Sequence, residues 1–397
     1  MVGNPYGWIE RSLATIHQAN WYRSPQALDG LPGPVMMMDG EAVLNFASND
    51  YLGLAGSREL ITMTTAAVEQ WGTGSTGSRL ITGHRDIHRT LEREIAALKN
   101  TEDAVVYSSG YAANIGVLSA IVGPKDLLVG DAYNHSSLMS GCKLSGAGFQ
   151  QYDHGNMTAL RDILMGQRSQ FRRCAIVTDS VFSMDGDLCP LKEILAIAEE
   201  FEAMVVIDEA HATGVLGSTG AGAVEFLECT GKPLIQVGTL SKALASLGGY
   251  VAGAAALVDF LRNRSASWIY STALSPADTA AALAAIDRVK AEPERRESLL
   301  NMSNYLRDGL RRVVAPWGDR GFRLLPSDTP IMCMQVPDTA TVLTLGEQLR
   351  SGGILAGAIR PPTVPTSRLR FTVRADHSQA HCDAVLEVLE KSLGILN

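Results

Sequence analysis

The sequence has little charge and few aromatic residues: charged side chains make up 19% of its 397 residues and aromatic side chains only 6%. Its 42 acidic and 34 basic residues give a formal net charge of −8. Proteins that bind nucleic acid or an anionic membrane over a broad area need a basic surface, so the composition disfavours both partners. Hydrophobic residues reach 46%, which is ample for a large buried core and argues against intrinsic disorder.

The sequence also lacks closely spaced cysteines. It has six, and no two are nearer to each other than Cys174 and Cys189. This spacing excludes a CxxC knuckle and the usual zinc patterns. A chain this long does not need disulfides to fold, so we expect the cysteines to be small buried hydrophobic residues. Residues 1–20 lack the basic and apolar regions of a signal peptide, and we expect a reducing, cytoplasmic location.

Two other patterns match known binding motifs only in part. His84 and His88 lie four residues apart, but Arg85 stands where a zinc protease has glutamate, so we expect them to cap or decorate a helix and predict no metal site. The GxGxxG pattern at residues 72–77 follows a helix-like stretch, whereas a dinucleotide site needs a preceding strand. We therefore expect a loop that shapes some other pocket.

A long uncharged run, residues 243–258, has 16 residues and contains three glycines, Gly248, Gly249 and Gly253. A membrane-spanning helix needs about 18 or more apolar residues. We interpret this run as a buried strand and turn.

Short apolar runs alternate with helical patterns between residues 46 and 290. The predicted strands are 103–107, 126–129, 174–178, 204–207, 234–237 and 249–252, and the predicted helices include 89–99, 111–121 and 191–202. Such alternation indicates βαβ crossovers and a mostly parallel sheet covered on both faces. After the charged segment 291–297 the pattern becomes α+β. We therefore predict an N-terminal helix and hairpin segment (1–45), a large domain (46–290) and a smaller C-terminal α+β domain (291–397).

Chemically active residues follow two of these strands. The strand 204–207 leads into Asp208 and His211, and the strand 234–237 leads through Thr239 to Lys242. Ligands of open α/β sheets bind at the edge where such strands end. Taken alone, Asp208 and His211 fit a helix N-cap as well as they fit a ligand site. For Lys242, a polar surface turn is the less favoured alternative to a ligand site. An amine that precedes so long an uncharged run is desolvated, which favours a Schiff-base nucleophile.

Two more segments add to the same edge. Residues 105–114 combine a strand, a Ser-Ser-Gly turn and a helix start, whose backbone N–H groups are suited to bind phosphate. His135 follows the strand 126–129. Together with Asp208 and Lys242, these groups form the set that pyridoxal phosphate needs: a phosphate anchor, a ring that stacks, a carboxylate for the pyridine nitrogen and an amine.

Four motifs carry a family resemblance: residues 48–54 (SNDYLGL), 183–187 (SMDGD), 206–214 (VIDEAHATG) and 239–253 (TLSKALASLGGYVAG). With them, the sequence resembles the α-oxoamine synthases from about residue 8 to residue 374. The resemblance implies a homodimer of the α/β fold type I of pyridoxal-phosphate enzymes, which is aspartate aminotransferase-like and has a mostly parallel seven-stranded sheet. These enzymes condense an amino acid with an acyl thioester, on coenzyme A or a carrier protein, and release carbon dioxide.

Residues 358–365 (AIRPPTVP) favour the branch of biotin biosynthesis within this family. That branch implies L-alanine and a pimeloyl thioester as small-molecule substrates. A relative that uses glycine, such as a glycine C-acetyltransferase, is the alternative, because it would share every cofactor residue.

The resemblance also implies roles residue by residue. Lys242 would hold the cofactor, Asp208 would bind its ring nitrogen, His135 would stack on the ring, and these three are the expected catalytic residues. The other expected cofactor contacts are Gly110, Tyr111, Ser183, His211 and Thr239, with Ser271 and Thr272 supplied by the partner subunit. The expected substrate contacts are Arg23, Asn49, His135, Arg360 and Thr363, of which Arg360 would bind the amino-acid carboxylate.

The sequence departs from the family pattern in three places. Leu244-Ala245 replaces a frequent Phe-Gly pair, Ser136 stands where alanine is common, and residues 139–141 read Met-Ser-Gly in place of Ile-Asp-Gly. We expect none of them to touch the core chemistry and the first to affect pocket shape and acyl preference.

Overall fold

A computed structural model describes residues 4–396, which divide into two compact units. The first unit contains the described residues up to 48, residues 184–186 and the described residues from 299 onward. The second contains residues 49–183 and 187–298. The three-part division predicted from the sequence stays a prediction.

The helices occur along nearly the whole described chain. In chain order they are α1 (Gly7–Gln18), α2 (Arg58–Trp71), α3 (Asp86–Lys99), α4 (Gly110–Ile121), α5 (Ser136–Ser145), α6 (Met157–Gln167), α7 (Leu191–Glu200), α8 (Ala223–Phe226), α9 (Ala255–Arg264), α10 (Ala266–Ile269), α11 (Pro276–Ala291), α12 (Pro293–Val314), α13 (Thr339–Ser351) and α14 (Gln379–Ile395). Short 3₁₀ turns follow α6 (Arg168–Gln170) and α12 (Ala315–Arg320).

The strands form three sheets. In chain order they are β1 (Leu28–Asp29), β2 (Val35–Met38), β3 (Glu41–Asn45), β4 (Asp103–Tyr107), β5 (Leu127–Asp131), β6 (Gly148–Tyr152), β7 (Cys174–Asp179), β8 (Met204–Asp208), β9 (Ile235–Thr239), β10 (Gly249–Gly253), β11 (Arg323–Leu324), β12 (Ile331–Gln335), β13 (Ile354–Leu355), β14 (Gly357–Ile359) and β15 (Arg368–Thr372).

The second unit is built on a seven-stranded sheet of order β4-β10-β9-β8-β7-β5-β6. β10 is antiparallel to both of its neighbours, and the other pairs are parallel. This confirms the predicted fold class and its mostly parallel seven-stranded sheet. The six predicted strands are present, and the seventh, β6, is an edge strand whose residues are mostly only partly buried. It lacks the continuous apolar run that identified the others.

Alternate residues of the central strands enter two separate cores. In β7, Ala175 and Val177 pack with residues of α4, α5 and α9, whereas Cys174 and Ile176 pack with residues of α6 and α7. Because helices bury both faces, these strands need apolar side chains at every position. That is why their sequences are uninterrupted hydrophobic runs.

The first unit contains two four-stranded sheets, of order β1-β2-β3-β13 and β11-β12-β15-β14. The predicted hairpin is β2 and β3, and it turns at Asp39 and Gly40, both with positive φ. The charged segment 291–297 is the predicted break in the sequence pattern. Its residue Glu292 lies between α11 and the long helix α12.

All six cysteines are buried and free, as predicted. Within residues 4–396, no helix is long and apolar enough to cross a membrane.

Candidate active site

Four parallel strands of the second unit end in polar residues at the same edge of the sheet. β5 ends in Asp131, β7 in Asp179, β8 in Asp208 and β9 in Thr239, and all four side chains are buried. In the register of β7 and β8, Asp179 lies opposite Asp208. The strand order therefore collects ionisable and hydroxyl groups where open α/β sheets bind ligands.

Lys242 and His211 are in direct contact in this cluster. Lys242 Nζ lies 2.9 Å from His211 Nε2, and His211 Nδ1 lies 2.7 Å from Tyr51 Oη. The Tyr51 hydroxyl donates its own proton to Asn49 Oδ1 at 3.2 Å. The His211 ring therefore bridges the Tyr51 hydroxyl and the lysine amine. Tyr51 was missed in the sequence, although it lies inside the quoted SNDYLGL motif.

The carboxylate of Asp208 is held from two sides. Its Oδ1 accepts the backbone N–H of Ala210 at 2.9 Å, and its Oδ2 accepts Asn114 Nδ2–H at 2.6 Å. The neighbouring Glu209 serves a different purpose, because its carboxylate pairs with buried Lys99. Asp208 is thus fixed in orientation and remains the acid that this strand contributes to the cluster.

His135 is the N-cap residue of α5. Its backbone N–H donates to Asp179 Oδ2 at 2.6 Å, and its Nδ1 lies 2.7 Å from Ser137 Oγ. The residue is exposed, yet the atoms packed around its ring lower the pKa of the imidazole; the charge of Asp208 raises this pKa and that of Lys242 lowers it. Since both charges affect His135, the structure brings it together with Asp208 and Lys242.

The start of α4 presents backbone N–H groups beside Thr239. Ser109 caps the helix, with its Oγ accepting the N–H of Ala112. The N–H groups of Gly110 and Tyr111, the first two residues of the helix, are not used by this cap. A Cβ at Gly110 would lie 3.2 Å from Thr239 Cβ, and a Cβ at Gly249 would lie 2.4 Å from Gly110 N. Glycine is required at Gly249 because its backbone closely approaches that of Gly110, and a side chain at Gly110 would press on Thr239.

Tyr111 is exposed, and its hydroxyl donates to Ser140 Oγ at 2.8 Å. Ser140 is one of the departures from the family pattern. A position that we expected to be remote from the core chemistry therefore contacts an expected cofactor ligand.

Ser183 lies in the turn that follows β7 and is closed by the Phe182 N–H···O=C Asp187 hydrogen bond of 3.0 Å. His154 ties this turn to the end of β5, with its ring nitrogens 2.9 Å from Asp131 Oδ1 and 2.8 Å from Asp187 Oδ2. Burial opposes protonation of His154, but the two carboxylates outweigh it and raise its pKa to about 10. A cationic imidazole thus fixes the turn that carries Ser183.

The first unit brings together the other expected substrate contacts. Arg23 Nη2 donates to Thr363 Oγ1 at 2.6 Å, while Arg360 donates to the carbonyls of Asn20 and Tyr22 at 2.7 and 2.6 Å. The two arginines thus tie the segment 20–23 to the loop 360–363.

Ser271 and Thr272, expected to act across a dimer interface, lie outside these clusters. Thr272 forms a bridge with Ser78. His88 completes a helix cap as predicted, because its Nδ1 accepts the N–H of Arg85 at 3.0 Å.

Three further residues of the site were missed in the sequence: Asn114, Ser137 and Asp179. Asp179 could have been found by the rule that identified Asp208, since it directly follows the predicted strand 174–178. Asn114 and Ser137 lie on helices, and no spacing pattern singled them out.

Comparison with known proteins finds a matching protein family and close relatives over most of the chain. The family model described as aminotransferase class I and II matches residues 41–389. A relative from Nostoc punctiforme is 56% identical over 387 residues, covering 98% of this chain and 97% of its own. One from a Cyanothece species is 57% identical over 398 residues, covering 99% and 100%. Both are named "Putative 8-amino-7-oxononanoate synthase".

Solved structures share the fold over nearly the whole chain. A serine palmitoyltransferase from S. paucimobilis, with a bound PLP–myriocin aldimine, superposes with a TM-score of 0.91 at 26% identity and covers 98% of both chains. An 8-amino-7-oxononanoate synthase from Francisella tularensis superposes with a TM-score of 0.74 at 26% identity and covers 89% of this chain and 98% of its own.

Proposed function

We propose that this chain, which belongs to the aminotransferase class I and II family and within it to the pyridoxal-phosphate-dependent α-oxoamine synthases, condenses L-alanine with a pimeloyl thioester. The products would be 8-amino-7-oxononanoate, carbon dioxide and the free thiol, a step of biotin biosynthesis. The 56–57% identity to relatives named for this activity supports the choice of substrates. The observation that carries the chemistry is the contact of Lys242 Nζ with His211 Nε2 at 2.9 Å.

The residues at the strand ends fit pyridoxal phosphate. The N–H groups of Gly110 and Tyr111, beside Thr239, are suited to the phosphate, because they lie at a helix N-terminus that side chains leave open. Asp208, with its carboxylate held by Asn114 and Ala210, is the group for the ring nitrogen. We assign the ring face to His135, the ring oxygen to His211 and Ser183, and the covalent link to Lys242.

Pyridoxal phosphate, when bound, withdraws electrons and so stabilises negative charge at the α-carbon of an amino acid. Lys242 Nζ takes the α-proton of alanine, and its contact with His211 Nε2 orients the amine. The α-carbon then forms a bond to the thioester carbonyl as the C–S bond breaks, and the leaving thiolate takes a proton from solvent to become the free thiol. The bond between the α-carbon and the alanine carboxylate breaks next and releases carbon dioxide. Lys242 then returns a proton to the α-carbon.

Arg360 is proposed to bind the alanine carboxylate. A guanidinium has five N–H donors, and only two serve the carbonyls of Asn20 and Tyr22, so donors remain for a bidentate contact. Thr363, Arg23 and Asn49 are proposed as further substrate contacts. We also propose a homodimer in which Ser271 and Thr272 reach the phosphate of the partner's site.

A substrate panel tests this function. Alanine, glycine and serine are each combined with pimeloyl, acetyl and palmitoyl coenzyme A, and pimeloyl carrier protein is added as a second donor. Mass spectrometry of the products should show the highest kcat/KM for alanine with a pimeloyl thioester. A preference for glycine with acetyl coenzyme A would instead identify a glycine C-acetyltransferase, and a preference for serine with palmitoyl coenzyme A a serine palmitoyltransferase.

A further inference from the structure

A continuous chain of hydrogen bonds links His135 to Asp208 through two residues outside the expected site. His135 Nδ1 lies 2.7 Å from Ser137 Oγ, Ser137 Oγ accepts Asn114 Nδ2–H at 2.9 Å, and Asp208 Oδ2 accepts the second Asn114 Nδ2–H at 2.6 Å. Asn114 and Ser137 are each 1% exposed and Asp208 is 5% exposed. Water therefore does not substitute for the two links that Asn114 makes to Ser137 and Asp208.

The chemistry of the groups sets the direction of the chain. The amide nitrogen of Asn114 has two hydrogens and uses one for Asp208 and one for Ser137. The Ser137 hydroxyl accepts the latter, so its own hydrogen is available for His135 Nδ1. The backbone N–H of Ser137 also donates to Nδ1, at 3.3 Å. Two donors thus hold Nδ1 as an acceptor, and the neutral imidazole carries its proton on Nε2.

This orientation of the amide leaves one atom unsatisfied. Asn114 Oδ1 is buried and has no hydrogen-bond partner within the described part of the chain. Rotating the amide by half a turn would place this oxygen against the Asp208 carboxylate and remove both donated bonds. The molecule therefore leaves one acceptor unsatisfied, a cost of burial, and keeps both donors in use.

We propose that Asn114 and Ser137 are positioning residues that hold His135 in its neutral, Nε2-protonated form and hold the Asp208 carboxylate in a fixed orientation. The proposal rests on the roles proposed above for His135 and Asp208. A neutral imidazole stacks on the cofactor ring without placing a second positive charge against a ring nitrogen that Asp208 keeps protonated. Two charged groups act on the same imidazole: Asp208 at the end of β8 raises its pKa and Lys242 beyond β9 lowers it. Asp179 at the end of β7 contacts the backbone N–H of His135.

The first experiment reads the imidazole directly in the holoenzyme. Histidine ring ¹⁵N NMR is recorded from pH 5 to 9, and the signal of His135 among the eight histidines is assigned with His135→Gln. The wild type should keep Nδ1 unprotonated at pH 7. Ser137→Ala removes a donor to Nδ1, so the ring should lose its single tautomer and the pKa of His135 should rise by about 0.5–1 unit. Ser137→Cys, with a weaker donor, should lie in between.

The matched control is Ser136→Ala, which removes the neighbouring exposed hydroxyl and should leave the His135 signal unchanged. If Ser137→Ala shows the same tautomer and pKa as this control, the proposal is wrong for His135.

The second experiment tests the Asp208 end by equilibrium dialysis of pyridoxal phosphate. Asn114→Ala should bind the cofactor about three- to tenfold more weakly, and an unchanged dissociation constant would overturn this half of the proposal. If Asn114→Ala does not fold, the dialysis is carried out with Asn114→Ser, which removes the same amide donors, and the same outcomes apply. Neither readout uses alanine or a thioester, so a different substrate preference would leave both results intact.

Discussion

Asp179 and Asp208 lie opposite each other at the ends of the parallel strands β7 and β8, which places two buried carboxyl groups side by side. Burial raises the pKa of Asp179 well above its usual range, and the charge of Asp208 raises it further. Asp179 therefore holds its proton to a higher pH than an aspartate in water does. It also holds the loop of His135 by accepting that residue's N–H at 2.6 Å.

The raised pKa of Asp179 predicts a dependence of stability on pH. The native state holds a proton on Asp179 that the unfolded state releases above about pH 4. The contribution of this carboxyl group to the free energy of unfolding is therefore largest at low pH. It declines as the pH rises towards the pKa of Asp179 in the native state. Asp179→Asn keeps an acceptor for the His135 N–H without this ionisation. Thermal unfolding is measured from pH 5 to 9. The melting temperature of the variant minus that of the wild type should increase as the pH rises. A difference that is constant with pH would contradict this account.

Ala245 occupies a backbone conformation that favours glycine. Its φ is 50°, and it stands where the family frequently has glycine. A left-handed residue with a Cβ costs about 1–2 kcal/mol, and part of the gain from glycine is lost to chain entropy. Ala245→Gly should therefore stabilise the holoenzyme by about 0.5–1 kcal/mol in urea unfolding. Ala243→Gly, at a nearby residue without positive φ, is the control and should destabilise it. The interpretation is wrong if both substitutions destabilise equally.

Lys242 is predicted to be the attachment point of the cofactor. Borohydride reduction of the holoenzyme should fix the cofactor to the peptide that contains Lys242, as read by mass spectrometry. Lys242→Ala should lose this labelling and the visible absorbance band of the wild type and should still fold. Lys143→Ala, on the helix α5, should keep both signals. Labelling of another lysine in the wild type would refute the assignment.

Arg360 is predicted to determine the affinity for the amino acid. Lysine supplies its charge without the planar fork that grips a carboxylate, so Arg360→Lys should raise the KM for alanine by about tenfold or more and change that for the thioester little. Arg360→Ala should lose roughly 2–5 kcal/mol of alanine recognition. Arg350→Lys, on α13, serves as the control. An unchanged KM for alanine in Arg360→Ala would move this role to another arginine.

The sequence predicted the central sheet because its strands are buried on both faces and therefore have uninterrupted apolar runs. It failed for β6, where the edge position leaves Gln150 and Gln151 only partly buried or exposed. Motifs placed Asp208, His211 and Lys242 in the site. The residues that orient them, Tyr51 and Asn114, act through contacts between distant parts of the chain. Such contacts exist only after folding and leave no periodic signal.

The most direct test of the proposed reaction uses L-alanine labelled with ¹³C at its carboxylate, together with pimeloyl coenzyme A and the holoenzyme. Condensation with decarboxylation predicts that the label leaves entirely as ¹³CO₂, in a one-to-one ratio with unlabelled 8-amino-7-oxononanoate, and that neither forms without the thioester. Formation of labelled pyruvate without carbon dioxide would instead show transamination and would contradict the account.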